Sequence, residues 1–313
     1  MTPVDPGPPG TPRVSVIMNG YNSARYVADS IASLLAQTWT DWELVFWDNC
    51  SEDDTEAIVG GFQDARIRFL RAPHPMTLAE GRNAALDQAR GDWLAFLDHD
   101  DLWSPDKLAR QMARIEAEAA GGGEAGNVGL VYARTQSFSA RGAEGETTYR
   151  YAGKLLPEGD ILVPLLLEGN LVPIVSALVA RRAWEAVRPI PAHLTFAEDY
   201  WLFVALAARF RVLCVQETCC HYRVHEHSTT YRNKLASHQE ALWVLQRFGD
   251  RLPPRQLKAR QAVYHTLIGL ELLQAGNWRP GLSMLGRGSP VFLLQGGLRH
   301  LYRRLVLRQR GYA

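Results

Sequence analysis

The chain is poor in several features, and each shortage removes a class of protein. Cysteine is scarce, with four in 313 residues, at positions 50, 214, 219 and 220. No two are spaced Cys-x-x-Cys, so neither a zinc ribbon nor a disulfide framework is expected; reduced thiols in a cytoplasmic protein are. Charge of one sign is not in excess either. Thirty-four Lys and Arg stand against 33 Asp and Glu, a net +1, so no global field draws nucleic acid and no nucleic-acid partner is expected. No apolar run is long enough to cross a membrane, and residues 161–180 are interrupted by Glu168-Gly169-Asn170. The Gly-x-Gly-x-x-Gly turn of an ordinary dinucleotide-binding dehydrogenase does not follow the first strand, and the Walker phosphate loop is missing. Residues 1–12 are rich in Pro and Gly without an apolar core. They read as a disordered lead rather than a signal or transit peptide.

What is present is ordinary globular material, 47% hydrophobic and 21% charged, enough for one large domain or two smaller ones. Short apolar runs at 14–18, 43–47, 67–70 and 94–97 alternate with helical patterns. Val27, Ile31 and Leu34 fall on one helical face, and residues 80–90 read as a further helix. Uniformly apolar strands separated by helices imply an α/β fold with a parallel sheet covered on both faces. The fourth run ends in Asp98-His99-Asp100-Asp101. Carboxylates just past a parallel strand sit at the carboxyl edge of the sheet, where open α/β folds bind ligands. Three such charges within four positions raise one another's pKa unless a cation or hydrogen-bond donors compensate them. Hard oxygen ligands with room for water suit Mg²⁺ or Mn²⁺ holding phosphates. The competing reading is a helix start, with Ser104-Pro105-Asp106 as a cap followed by proline at the first helical position. Asp48-Asn49-Cys50-Ser51 closes the second run in a similar way, with Ser51 able to cap the next helix.

Several weak motifs stand in fixed order along the chain. Val16-Ile17-Met18-Asn19-Gly20-Tyr21-Asn22 comes first, then Trp42 to Thr55, Gly81-Arg82-Asn83-Ala84-Ala85-Leu86, and Phe96 to Trp103. Downstream follow Gly169-Asn170, Ala197-Glu198-Asp199-Tyr200-Trp201-Leu202 and Tyr222-Arg223-Val224-His225. Together they resemble family 2 glycosyltransferases, a set far more specific than any one of its members. The resemblance implies a GT-A fold: a single mostly parallel sheet flanked by helices, with a helical C-terminal extension. It also implies inverting transfer of a sugar from a nucleoside-diphosphate sugar, a UDP-sugar favoured, to a hydroxyl of a glycan or lipid-linked acceptor. Cell-surface polysaccharide biosynthesis is the expected setting.

The same resemblance assigns roles. Asp98 and Asp100 would hold the donor, and Asp100, Asp101 and His225 a Mn²⁺ or Mg²⁺ ion on its diphosphate. Asp48 would take ribose hydroxyls or a pyrimidine N–H, and Tyr21 would stack on the base, with Asn19, Asn22, Arg82 and Asn83 around the donor. Asn49 stands where the family often has a second Asp. An amide both donates and accepts, so base recognition is altered and UDP, dTDP and GDP all stay open. Asp199 would be the general base, with Glu198, Trp201 and Arg223 orienting it or meeting the acceptor. Ser228 would neighbour the phosphates, while His99, the middle of the Asp-x-Asp, points away.

The expected organisation is a lead over 1–12, a GT-A catalytic domain over 13–233 and a helical region over 234–313. Within the catalytic domain, 13–118 forms the nucleotide-sugar half and 127–233 the acceptor half. Residues 298–310 are basic and amphipathic, which suits a solvated helix or peripheral contact with the inner face of the cell membrane. A sugar nucleotidyltransferase shares the sheet and the acidic cluster but opens with a Gly-rich loop and a Lys that this chain lacks. A non-catalytic nucleotide-sugar-binding protein is the third reading.

Overall fold

The computed structural model describes residues 11–121, 125–139, 142–146, 151–225 and 233–292. Most of the expected lead, His227, Ser228 and the basic stretch 298–310 lie outside the described residues. The chain divides into two compact units, Met1–Ser228 and Thr229–Ala313.

The first unit is built on a sheet of nine strands among the described residues, with helices connecting them. Strands β1 (Val14–Gly20), β2 (Trp42–Asp48), β3 (Ile67–Arg71) and β4 (Trp93–Phe96) pair in parallel in the order β3-β2-β1-β4. Every residue of β2 and β4 is buried, as a parallel sheet with both faces covered requires. The register sets Gly20 opposite Asp48 and Ile17 opposite Phe96. The strands therefore deliver Asn19, Asp48 and Asp98 to one carboxyl edge. Beyond β4 the pairing becomes mixed. Strand β8 (Leu178–Ala180) runs antiparallel to both β4 and β6 (Val128–Ser139), and β6 pairs in parallel with β9 (Arg211–Arg223). A two-residue strand β5 (Leu102–Trp103) pairs antiparallel with the end of β9, and β7 (Gly142–Glu146) with β6.

Helix α1 (Val27–Leu35) buries Val27, Ile31 and Leu34, the stripe its spacing predicts. Helix α2 (Thr55–Gly60) follows β2, but Ser51 does not cap it; its hydroxyl accepts the Asn22 N–H instead. Helix α3 (Leu78–Gln88) begins two residues before the expected helix. Thr77 and Glu80 form a capping box there, each side chain accepting from the other's backbone N–H. Helix α4 (Lys107–Ala120) starts after Asp106, so Pro105 precedes the helix rather than opening it. Ser104 faces His221 across 3.2 Å instead of capping. Three further helices, α5 (Leu162–Glu168), α6 (Arg181–Val187) and α7 (Glu198–Ala207), complete the unit.

The second unit is helical, with α8 (Lys234–Arg247), α9 (Pro254–Gln274) and α10 (Trp278–Gly286). Asn233 caps α8 through the Ala236 N–H, and Pro254 opens α9, where its missing N–H costs nothing. Gly276, at φ +78°, turns the chain between α9 and α10. The helices then cross closely: a methyl on Gly269 would meet Leu285 at 2.9 Å and the Gly281 carbonyl at 3.0 Å.

Candidate functional site

At the carboxyl edge of β1 and β2 two loops are stitched together. Asn22 adopts φ +50°, a conformation Asn tolerates. Its side-chain oxygen accepts the Glu52 N–H at 2.9 Å, Ser23 N–H donates to Thr55 Oγ1 at 2.8 Å, and Ala24 N–H to Asp53 at 3.0 Å. This lacing turns Tyr21 outward, 56% exposed, as a ring available for stacking at the rim. Beneath it Asp48 is fully buried. One of its oxygens, Oδ2, accepts the Ser51 N–H at 3.0 Å and lies 3.4 Å from Arg71, while Oδ1 has no partner. A buried carboxylate oxygen left open is costly, and a ligand N–H or hydroxyl would satisfy it.

Two asparagines expected around the donor are used otherwise. Asn49 donates to the Met76 carbonyl at 2.9 Å and accepts the Met76 N–H at 2.8 Å. Asn83 does the same to Ile190, at 2.8 and 3.0 Å. Each amide imitates a backbone pair and fastens a loop. Asn22 likewise serves the lacing. Asn19 remains at the edge, its carbonyl 3.2 Å from His99 Nδ1, which turns His99 back toward β1.

The acidic loop after β4 is gripped from β9. Arg223 N–H donates to Asp101 Oδ1 at 2.8 Å, its Nε to the Asp100 carbonyl at 2.7 Å, and its Nη2 to Asp29 at 3.0 Å. The guanidinium lies 4.5 Å from the Tyr26 ring and 4.8 Å from Phe138. Arg223 thus orients the loop. Asp101 is fully buried, and desolvation first, then the charges of Asp100 and Asp98, raise its carboxyl well above the ordinary range. It holds β9 through the Arg223 N–H, while its Oδ2 is buried without a hydrogen-bond partner. Asp100 is more accessible than Asp101, and its Oδ2 lies 2.9 Å from His225 Nε2. Among the described residues no three His, Cys, Asp or Glu side chains converge as a ready cage. The Asp100–His225 pair fits a divalent ion all the same. Mg²⁺ and its like are held by one or two protein ligands together with substrate phosphates and water, and an imidazole nitrogen facing a carboxylate oxygen can share a cation as it shares a proton.

The third group joins elements far apart in sequence. Arg82, buried on α3, reaches Glu198 Oε1 at 2.5 Å and Asp98 Oδ1 at 3.4 Å. It is a bridge between the acidic strand end and α7. Asp199 lies beside Glu198 in the first turn of α7, half-buried. Its Oδ2 accepts from Asn170 Nδ2 at 2.8 Å and its Oδ1 from the Tyr200 N–H at 2.6 Å. Burial pushes the Asp199 carboxyl up to about 6 against the pull of Arg82 and of its hydrogen bonds, with Asp98 adding to the rise. Glu198 rises to about 8, by burial first and by Asp199 beside it, again against Arg82. Asp98 is raised as well, by burial and by Asp100. Trp201, expected near the acceptor, is buried in the interior of the unit.

Asn170 carried no role in the sequence. Its signal was Gly169-Asn170 at the end of an apolar run. Gly169 turns at φ +98°, and Asn170 accepts the Val172 N–H while donating to Asp199.

The fold is of the GT-A type: a parallel half-sheet with an acidic edge, beside a mixed half that brings a carboxylate with a raised pKa. Residues 15–148, somewhat under half of the chain, match the family model described as glycosyl transferase family 2. It is 27% identical over 217 residues to UDP-Glc:alpha-D-GlcNAc-diphosphoundecaprenol beta-1,3-glucosyltransferase WfgD of Escherichia coli, covering 69% of this chain and 78% of that one. The succinoglycan biosynthesis protein ExoO of Rhizobium meliloti is 38% identical over 109 residues, 35% of this chain and only 31% of the relative's length. Among solved structures, S. aureus TarS 1-349 in complex with UDP-GlcNAc superposes with a TM-score of 0.67 at 18% identity, over 88% of this chain and 82% of that one. The mannosyltransferase PcManGT of Pyrobaculum calidifontis, in complex with GDP-Man and Mn²⁺, gives 0.57 at 18% identity, over 99% and 87%. At these identities the structures speak for the GT-A fold.

Proposed function

We propose that the chain is an inverting glycosyltransferase that moves a sugar from a nucleoside-diphosphate sugar, a UDP-sugar by preference, to a hydroxyl of a glycan or lipid-linked acceptor. The named activities of WfgD and ExoO favour a place in cell-surface polysaccharide assembly, on the cytoplasmic side where nucleotide-sugars are used. The observation that carries the reading is Asp199, a carboxylate with its pKa lifted to about 6 and both oxygens held, in the same charge cluster as Asp98. A general base works best with a pKa near the operating pH.

In this reading Tyr21 stacks on the base and the open Asp48 oxygen takes a base N–H or a ribose hydroxyl. Asp98 and Asp100 face the diphosphate, and Asp100 with His225 would hold Mn²⁺ or Mg²⁺. A bound divalent ion neutralises charge on the departing nucleoside diphosphate. Asp199 takes the proton of the acceptor hydroxyl as that oxygen forms its bond to the anomeric carbon, opposite the breaking bond to the diphosphate. Inversion follows from that opposite-face attack. Arg82 keeps Glu198 and Asp98 in place without touching the reacting atoms.

A thermal-shift panel of UDP-, dTDP- and GDP-sugars with and without Mn²⁺ tests the donor site. Stabilisation grows with ligand over Kd, so a metal-dependent shift with one nucleotide names the base. Absence of any shift sinks the donor-site reading.

A further inference from the structure

Three neighbouring strand ends meet at one corner of the carboxyl edge. The register sets Gly20 of β1 opposite Asp48 of β2, and Asp48 opposite Arg71, the last residue of β3. The two charged side chains meet there. Arg71 Nη1 lies 3.4 Å from Asp48 Oδ2 and 3.4 Å from Glu56, and its Nη2 donates to the Ser51 carbonyl at 2.8 Å. The guanidinium is 46% exposed, and its Nε–H has no partner among the described residues.

Other polar side chains of this corner are already committed. Asn49 gives both ends of its amide to Met76, Asn22 accepts the Glu52 N–H, and Asp53 takes the N–H groups of Ala24 and Thr55. That leaves one acceptor beside one donor: Asp48 Oδ1, buried and without a partner, and the Arg71 guanidinium. A buried acceptor left open marks a place where a ligand donor belongs.

We propose that Arg71 is a specificity-determining residue of the donor site, which reads, together with Asp48, the imide edge of uracil or thymine. An imide is an N–H flanked by carbonyl oxygens. Asp48 Oδ1 accepts that N–H while Arg71 donates to the carbonyl beside it. Cytosine reverses both groups: its bare ring nitrogen would face the carboxylate, and its amino group would face the guanidinium. Guanine offers an N–H and an amino group side by side, which call for both oxygens of one carboxylate. Here Oδ2 is already taken by the Ser51 N–H at 3.0 Å and by Arg71. A site that leaves its own buried polar atoms unpaired rejects the wrong ligand strongly. The inference rests on the donor-site reading above and narrows it to one kind of base.

The test is titration calorimetry of the full-length protein with UDP, dTDP, CDP and GDP in the presence of Mn²⁺, repeated with Arg71→Met and Arg71→Gln. The parent should bind UDP or dTDP at least about tenfold more tightly than CDP and GDP, and the two imide nucleotides titrated side by side tell uracil from thymine. Arg71→Met should cut the preference over CDP by about tenfold, and Arg71→Gln, which keeps an N–H donor without the charge, should restore part of it. The ratio is the readout because a lost positive charge or a disturbed Ser51 loop would weaken all four nucleotides alike. A ratio unchanged in Arg71→Met, or CDP or GDP bound by the parent as tightly as UDP and dTDP, overturns the inference and leaves the donor site standing. Binding of none of the four overturns it together with the donor-site reading.

Discussion

Glu43 and Glu198 are buried carboxylates of one unit, the latter with half-buried Asp199 beside it, and the two places are treated in opposite ways. Glu43, near the start of β2, is met by Ser15 Oγ at 2.7 Å, by Arg90 through N–H, Nε and Nη2, and by Arg68 at 3.0 Å. Burial raises its pKa, but these donors together pull it below the ordinary carboxylate range. At the other end of the sheet Glu198, Asp199 and Asp98 lie around Arg82, Asp101 lies beside Arg223, and all four are raised. Supplying enough donors makes a carboxylate an architectural anion. Leaving it short of donors keeps its proton exchangeable near neutral pH.

The contrast is broken most severely at Asp199. Asp199→Asn should lower transfer by about 10²–10⁴-fold while donor affinity stays, read from turnover and titration calorimetry. Near-wild-type turnover would remove Asp199 as the base. In the parent, kcat/KM should fall as pH drops through about 6, the value at which this carboxyl takes up its proton. Stability moves the other way. A folded-state pKa raised above the unfolded value means that folding favours the protonated form, so the contribution of Asp199 to stability declines between the unfolded value near 3.8 and about 6. Melting temperatures across that window should decline less in Asp199→Asn than in the parent.

Glu43 should behave in reverse. Glu43→Gln should cost about 2 kcal/mol in urea unfolding, because buried donors lose a charged partner, while turnover of the folded fraction is kept. Its lowered pKa also makes its contribution full above the ordinary carboxylate range and lost as pH falls through the folded value. Asn170→Ala sharpens the comparison by making Asp199 poorer still in donors. We expect a kcat about tenfold lower at unchanged KM, with the acid limb displaced to higher pH because a hydrogen bond favouring the charged form is gone. A pH profile identical to that of the parent would reduce Asn170 to a turn residue. Least of all, Thr77→Ala should remove about 1 kcal/mol from the cap of α3 and leave the profile untouched.

The parallel half of the fold was legible because its strands are short, mostly apolar runs, and the acidic cluster because Asp98, Asp100 and Asp101 follow one of them. The roles of individual polar residues were less so. Asn49 and Asn83 read as ligand contacts, since nothing local shows that Met76 and Ile190 arrive to take both ends of each amide. Asp101 is indistinguishable from Asp100 in sequence, and only the return of β9 buries one and leaves the other open. Lys107 looks like a surface residue opening a helix. It is buried 3.7 Å from the Trp103 ring, its pKa pushed down to about 8 by burial. Long-range pairing, rather than propensity, decides such cases.

The Arg82–Glu198 contact spans 116 positions and is a 2.5 Å fastening between α3 and α7 of the first unit. Its consequence is for inheritance. Removing one partner strands a buried charge, so lineages that lose Arg82 should have lost Glu198 too. A chimera that exchanges the segment carrying α7 for that of a relative must carry matched residues at 82 and 198, or the graft will leave one of the two charges buried and alone.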